Sequence, residues 1–507
     1  MERLIPVWRG SISVSSSSWV RSDSTRGIRM STSTAGDTPD FASAVSQAGA
    51  FRLWFMHLLV FAIPLSAVAF VWSGPHAWYV APLFIVPLAV IQWVDTKPWF
   101  EFRQPDEALP TWPFDMLVYG LALIHFVMLA GLVHLFLEQG IFSLDTITVV
   151  VVVGGSSGFS IITAHELIHR RQKPAQFLGR VMLASVLYEH FYTEHLRGHH
   201  VRVGLPEDPA TARYGETFPE FWRRTVPGQF RSAWRLECAR LGDVDMSLFD
   251  RRTLSNRVLH GVLLGWGIAF GILAFFGWPA FLAYLLQAFI AVRLLEAVNY
   301  FEHWGLERSG RRVQPTDSWD THSGFTYYGL VGLSRHADHH TYPSRAYQSL
   351  RVCDEAPVLP VGYVALVDMV LANNDEFIRI AKEELRSREL GPFSSEAGRK
   401  RAEAEDLRIP PRPVLERALA WMSPGARKLI VPLALLAGVS LGGWFFSGAD
   451  ASLGWVFLRN AMIAGLFVSL FFFRNWLESR VHNGWVSWGA GLLLLWVVGT
   501  STQGFLG

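Results

Sequence analysis

Apolar residues in this chain fall into blocks separated by polar segments of very unequal length. A helix crossing about 30 Å of hydrocarbon needs about 20 apolar residues. Blocks of that order occupy 54–73, 77–94, 114–137, 144–164, 258–276 and 278–298, and three more occupy 428–447, 453–473 and 484–500. The expected fold is an all-α polytopic membrane protein. A six-helix transmembrane core covers 51–376, a polar helical region with a Pro-rich linker covers 377–427, and a three-span extension covers 428–507. Pro64, Pro82 and Pro87 are expected to kink the first two spans. Gly391 and Pro392 should interrupt the charged helical stretch over 377–405, and Pro410, Pro411 and Pro413 stiffen the linker.

Charge orients this pattern. The short loops 74–76, 138–143, 277 and 448–452 contain no Lys or Arg, whereas Lys97, Arg103 and the segments 170–257 and 308–428 carry the cations. Cytoplasmic loops are enriched in Lys and Arg, so the N-terminus and the polar segments are expected inside. The segment 170–257 is amphipathic and Arg-rich, suited to helices lying against headgroups. A formal net charge of +2 gives no case for a nucleic-acid partner. Cys238 and Cys353 stand far apart and in no CxxC pair, which excludes a rubredoxin-like or iron–sulfur site and any disulfide framework. Residues 1–50 are Ser- and Arg-rich without a long apolar core, so they read as a disordered tail, with Met1 or Met30 as the start, rather than a secretory signal.

Candidate chemistry lies in histidines on the inner side. His165 and His169 occur in HELIH, His195, His199 and His200 in HLRGHH, His303 in NYFEHWGL, and His336, His339 and His340 in RHADHH. Spaced four apart on a helix, His165 and His169 share one face. Taken alone, HELIH is also a zinc-protease pattern with Glu166 as general base. Nine imidazoles exceed the three or four protein ligands that complete a zinc site, and they suit two ions with four or five rings each. Ligating rings need partners for their other nitrogen, and Glu166, Glu194, Glu302, Asp338, Asn299 and Asp208 are the candidates. His57, His125 and His134 within the spans are expected to make interhelical hydrogen bonds, and Arg293 to pair with Glu296. His482 reads as a loop residue. A histidine relay for metal transport is disfavoured, because the clusters lie on one side of the membrane and no pair of broken helices meets at its midplane.

HELIHR, EHLRGHH, NYFEHWGLER and LSRHADHHTYPSRAYQSLR, followed by DEAPVLPVGY, resemble the integral-membrane alkane hydroxylases (alkane 1-monooxygenases), part of the wider histidine-box group of membrane desaturases and xylene monooxygenase. The resemblance covers roughly 51–374. It implies a non-haem di-iron centre held by the nine histidines, in a bacterial inner membrane with the active-site loops cytoplasmic. It also implies O2 as oxidant and electrons from rubredoxin, itself reduced by an NAD(P)H-dependent reductase. The implied reaction hydroxylates the terminal C–H bond of medium- to long-chain alkanes or alkyl groups; the alternative is a fatty-acyl desaturase or a xylene-type methyl hydroxylase. Trp304 stands where relatives commonly have Tyr and is expected to shape the substrate pocket. Asp317 stands where a His is expected, so it is not counted as a ligand. The last three spans have no counterpart in the usual six-span core.

Overall fold

The computed structural model describes residues 49–408, apart from 78, 98, 106–108 and 142, together with isolated residues between 437 and 461. The N-terminal tail, the Pro-rich linker after residue 408 and the expected C-terminal spans lie outside the described residues. Among the described residues no strand forms; pairing is limited to two isolated bridges.

Helix α1 (Ala50–Ser73), α3 (Trp112–Glu138), α4 (Leu144–His169) and α8 (Arg257–His303) are long and apolar enough to cross a membrane. Within α1, Leu58–Phe61 tightens into a 3₁₀ turn just before Pro64, whose ring removes an N–H from the ladder. The second apolar block is helical only over α2 (Ala81–Asp95). At about 2.0 Å per residue over the 3₁₀ turns Ala81–Ile85 and about 1.5 Å over the rest, the helical part reaches roughly 25 Å of about 30 Å of hydrocarbon; Pro82 and Pro87 break up its first turns. Helix α8 is bent at Gly277, whose φ of 83° leaves the helical region, and Pro279 follows two residues on. That φ is one only glycine adopts cheaply. The bend divides α8 where the sequence pattern puts a one-residue outer loop between two spans.

The long helices pack through small residues. Gly154 and Gly158 on α4 let Ile290 and Leu294 of α8 approach so closely that an added Cβ would sit 2.6 Å and 2.8 Å from them. This is the usual means of tight packing where lipid removes the hydrophobic drive between helices. One apolar cluster joins Phe70, Leu132, Val153 and Ala280 at the end away from the histidines. A second, near the middle and the histidine-bearing end, gathers Leu121, Ile161, Met182 and Tyr327.

The polar segments form a cap over the histidine-bearing ends of these helices. It contains α5 (Lys173–Ser185), the composite helix α6 (residues 191–202), and α7 (Phe218–Arg240), which starts at a capping box of Thr217 and Glu220. Short α9 (His336–Thr341), α10 (Tyr363–Ala372), α11 (Asn374–Ser387) and α12 (Glu396–Asp406) complete it. The interruption at Gly391 and Pro392 falls between α11 and α12 as the sequence suggests. A third cluster, including Phe221, Tyr300, Trp319 and Leu366, packs the cap onto the end of α8.

Candidate metal centre

The histidines converge on the C-terminal ends of α4 and α8. His165 and His169 lie one turn apart at the end of α4, and His303 closes α8. The other six come from the cap. Phe191–Glu194 is ordinary α-helix, but His195–His199 is a π turn, after which His200–Arg202 resumes the α form. An α-helix would point residues five apart to different flanks; the wider π turn brings them into line. His195 and His200 therefore meet, Nε2 to Nε2, at 3.0 Å. Gly198 makes this turn possible: the Arg202–Glu194 ion pair, 2.7 Å, crosses directly over its Cα, where a Cβ would sit 2.5 Å from the Glu194 carboxylate oxygen.

Two groups result. His165, His169, His195, His200 and His339 bring their ring nitrogens within 4.8 Å of one another. The second group is centred on His303, whose Nε2 lies 3.1 Å from those of both His199 and His336, with His340 alongside. Each doublet is thus divided: His199 and His200 serve different groups, as do His339 and His340.

These nitrogens cannot satisfy one another. The Nε2 atoms of His169, His195 and His200 form a triangle with sides of 3.0, 3.0 and 3.2 Å. Each neutral Nε2 is either a donor or a lone pair, so at least two of any three are alike and face each other unbonded. A cation at the centre accepts all three lone pairs. Metal–imidazole bonds of about 2.1 Å set cis nitrogens roughly 3.0 Å apart, which matches the triangle. The buried Nε2 atoms of His165, His339 and His340 have no hydrogen-bond partner among the described residues. Burial, reinforced by neighbouring rings, holds His195, His200, His336, His339 and His340 well below the usual imidazole range, so they are neutral, as ligands must be. The residues present fit a metal.

The outer partners differ from expectation. Asp208 Oδ2 bonds His199 Nδ1 at 2.8 Å, and Glu302 Oε1 lies 3.3 Å from His336 Nδ1. Burial alone would raise Asp208, but His199 and Thr211 hold it below the carboxylate range. The other four point elsewhere. Glu166 pairs with Arg170 at 2.9 Å, Asp338 with Arg345 and the Arg351 N–H, Glu194 with Arg202, and Asn299 donates to Glu296. Buried Glu194 is pushed up to about 7. For the three carboxylates the shared cause is the abundance of Arg, which captures groups that sequence proximity assigned to histidines.

Asp320 supplies a support that sequence reasoning missed. Its Oδ1 accepts the Ala337 N–H at 2.7 Å at the start of α9, which fixes the helix carrying His336, His339 and His340; burial pushes it up to about 8. An acidic residue in the DSWDTH stretch was the available signal. Asp317 stays off the metal groups with its side chain, which accepts the Gln314 N–H, while its carbonyl lies 3.4 Å from His303 Nδ1. Arg293 and Glu296 do not pair. Glu296 is held by Tyr188, Gln229 and Asn299, and the Arg293 guanidinium lies over Phe218 and Trp222. His125 bonds Ser185 of another helix at 2.7 Å, His134 stacks on Trp72, and His57 turns back to the Leu53 carbonyl of its own helix.

A cavity of about 450 Å³ opens along the seam between α4 and α8 and ends against His165, His195 and His336. Its walls are mainly apolar, built of Val, Leu, Ile and a few aromatic side chains, with Gln92, Arg293, Asn299, Glu302 and Asp368 also on the lining. Trp304, expected to shape it, is not among its lining residues. The indole is fully buried, donates to the Glu216 carbonyl at 3.0 Å and packs against Tyr214 and Phe377. It supports the cap instead.

Membrane-length helices whose C-terminal ends gather two histidine groups, at the end of a mainly apolar cavity, define a histidine-box membrane protein with a metal-binding centre. The family model for fatty acid desaturases matches residues 144–365. The chain is 41% identical over 217 residues to alkane 1-monooxygenase 1 of Pseudomonas aeruginosa, covering 42% of this chain and 56% of that one. It is 38% identical over 230 residues to the alkane 1-monooxygenase of Acinetobacter baylyi, covering 44% and 56%. These two matches thus span little more than half of each relative. With alkane 1-monooxygenase 2 of Alcanivorax borkumensis the identity is 32% over 355 residues, covering 66% of this chain and 89% of the relative. The chain belongs to the alkane 1-monooxygenase family.

Proposed function

We propose that this chain is a di-iron monooxygenase that hydroxylates the terminal C–H bond of medium- to long-chain alkanes, or alkyl groups, to primary alcohols. The observation that carries this reading is the mainly apolar cavity that runs along the α4–α8 seam and stops on rings from both histidine groups. In this reading His165, His169, His195, His200 and His339 hold one iron, and His199, His303, His336 and His340 hold the other. When bound, the pair supplies reductive activation of O2, by which R–CH3, O2, two electrons and two protons become R–CH2OH and water.

The chain's own residues do the rest. Apolar walls exclude water and favour an extended alkyl chain whose end alone reaches the histidines. Asp208 fixes the orientation of His199 and offsets positive charge, and Glu302 stands beside the His336 ring. Electrons arrive from rubredoxin, reduced by an NAD(P)H-dependent reductase, and an Arg-rich inner face suits a small acidic carrier. The protein lies in the bacterial inner membrane, N-terminus and histidines on the cytoplasmic side, with a six-span core and three further spans over 428–507.

A second reading is favoured by the match to the desaturase model over residues 144–365: a fatty-acyl desaturase or a methyl hydroxylase of the xylene type. Purified protein loaded with Fe(II) and supplied with rubredoxin, reductase, NADH and octane separates them. Production of 1-octanol supports the proposal. Absence of 1-octanol, under conditions that desaturate an acyl chain or oxidise xylene, overturns it.

A further inference from the structure

The side chains lining the cavity on α4 keep a single helical face from His165 back through Ile162, Gly158 and Gly155 to Val151, and those on α8 follow from Glu302 back to Ile290. The cavity is therefore a slot parallel to α4, running from the histidines toward the outer end of the helix. The three glycines of α4 at this level, of which Gly155 and Gly158 line the slot, are not equivalent. The spaces beside Gly154 and Gly158 are filled by Ile290 and Leu294. At Gly155 an added Cβ would meet only Leu88 Cδ2, at 3.8 Å, an ordinary contact distance. Gly155 is the point in the far half of the slot where the wall on α4 is cut back and a side chain would protrude into the space.

Length follows from helix geometry. Gly155 lies ten residues before His165, about 15 Å at a rise of about 1.5 Å per residue. Val151 lies about 21 Å away on the same basis. An extended alkyl chain, with bonds of about 1.5 Å at about 111°, advances roughly 1.25 Å per carbon. With its reacting methyl at the histidines, a chain passes Gly155 near its twelfth carbon and meets the Val151 level near its sixteenth or seventeenth.

We infer that Gly155, opposite Leu88, sets the length of alkyl chain the site accepts, and that the site as built takes chains of up to about sixteen carbons. This rests on the function proposed above, and its test reads binding separately from turnover. The full-length protein, loaded with Fe(II), is equilibrated with octane, dodecane or hexadecane and washed, and the retained alkane is extracted and quantified by gas chromatography. The same samples are then supplied with rubredoxin, reductase and NADH, and their alcohols are measured.

The wild type retains all three alkanes. Gly155→Phe lowers the hexadecane-to-octane retention ratio at least tenfold, and Gly155→Ala, whose methyl group has room, lowers it less. Leu88→Phe narrows the same level from the opposite wall and keeps the test decisive if Gly155→Phe fails to assemble. Ratios equal to wild type in every metal-loaded variant overturn the inference, as does a wild type that retains no hexadecane. If the ratios shift as expected but no alkane yields an alcohol, the length determinant stands and terminal hydroxylation is what fails.

Discussion

Gly198→Ala tests the link between local geometry and the metal centre. Ala is the better helix former by about 1 kcal/mol, so propensity alone forecasts a gain. The structure forecasts a loss, because the new Cβ would lie 2.5 Å from Glu194 Oε1, inside the ion pair that Glu194 makes with Arg202. The Glu194 side chain is 0% exposed and that of Arg202 is 25% exposed, so the pair cannot simply be released to water. Breaking a buried pair costs about 3–5 kcal/mol. Discounting for the partly exposed Arg202, for the bond Arg202 keeps to Ser232, and for the propensity gain leaves about 2 kcal/mol against the π turn. That corresponds to a roughly 30-fold fall in the population with His195, His199 and His200 all in place. Iron per chain, measured by plasma mass spectrometry on purified protein, should fall to one or fewer, with turnover following it. Gly198→Ala combined with Glu194→Ala removes the carboxylate from the new methyl group's path and releases the Arg202 tip, the other close neighbour, to swing aside, so it should regain metal relative to the single variant. A single variant with the wild-type iron content would refute the reasoning.

Further substitutions separate groups that touch the metal-binding rings from groups that only neighbour them in sequence. Asp208→Asn, which weakens the support behind His199, should cost about 10- to 100-fold in metal affinity; titration with Fe(II) should find one weakened site and one intact. Glu166→Gln disturbs the Arg170 pair rather than a ligand, so metal content should stay at wild type, whereas loss of both irons would restore Glu166 to the centre. Trp304→Phe deletes the bond to the Glu216 carbonyl and should cost about 1 kcal/mol of stability while leaving the distribution of product chain lengths in place. Removing the metal with a chelator should speed amide exchange in His195–His199 and α9, where nitrogens would face one another unbonded, far more than in α3; equal protection before and after chelation would count against the triangle argument.

The positions of the long helices were legible because membrane helices announce themselves by length and composition. The second block was less so, since Pro82 and Pro87 leave only Ala81–Asp95 helical. The nine histidines were legible as a set because four clusters recur on one side of an alternating pattern. Their division was not. HLRGHH and RHADHH have different spacings, and only the π turn shows why residues five apart share a group while adjacent residues do not.

The misassigned neighbours follow one rule. Adjacent residues on a helix point about 100° apart, so a group beside a histidine in sequence usually faces another layer. Glu166, Asp338 and Trp304 each stand within one or two residues of a histidine and serve Arg170, Arg345 and the Glu216 carbonyl. Partners that do touch or fix the histidine-bearing elements arrive from farther along the chain: Asp208 is nine residues from His199, Glu302 reaches His336, and Asp320 caps α9. Glu302 also stands beside His303, yet its Oε1 lies 3.3 Å from Nδ1 of the His336 ring. Sequence adjacency therefore finds the imidazoles, which helical spacing aligns, while their supports are set by tertiary packing. The cavity shows the same division: its position was implied by where the histidines emerge, but its length depends on which α4 glycines are filled by α8 and which is left open.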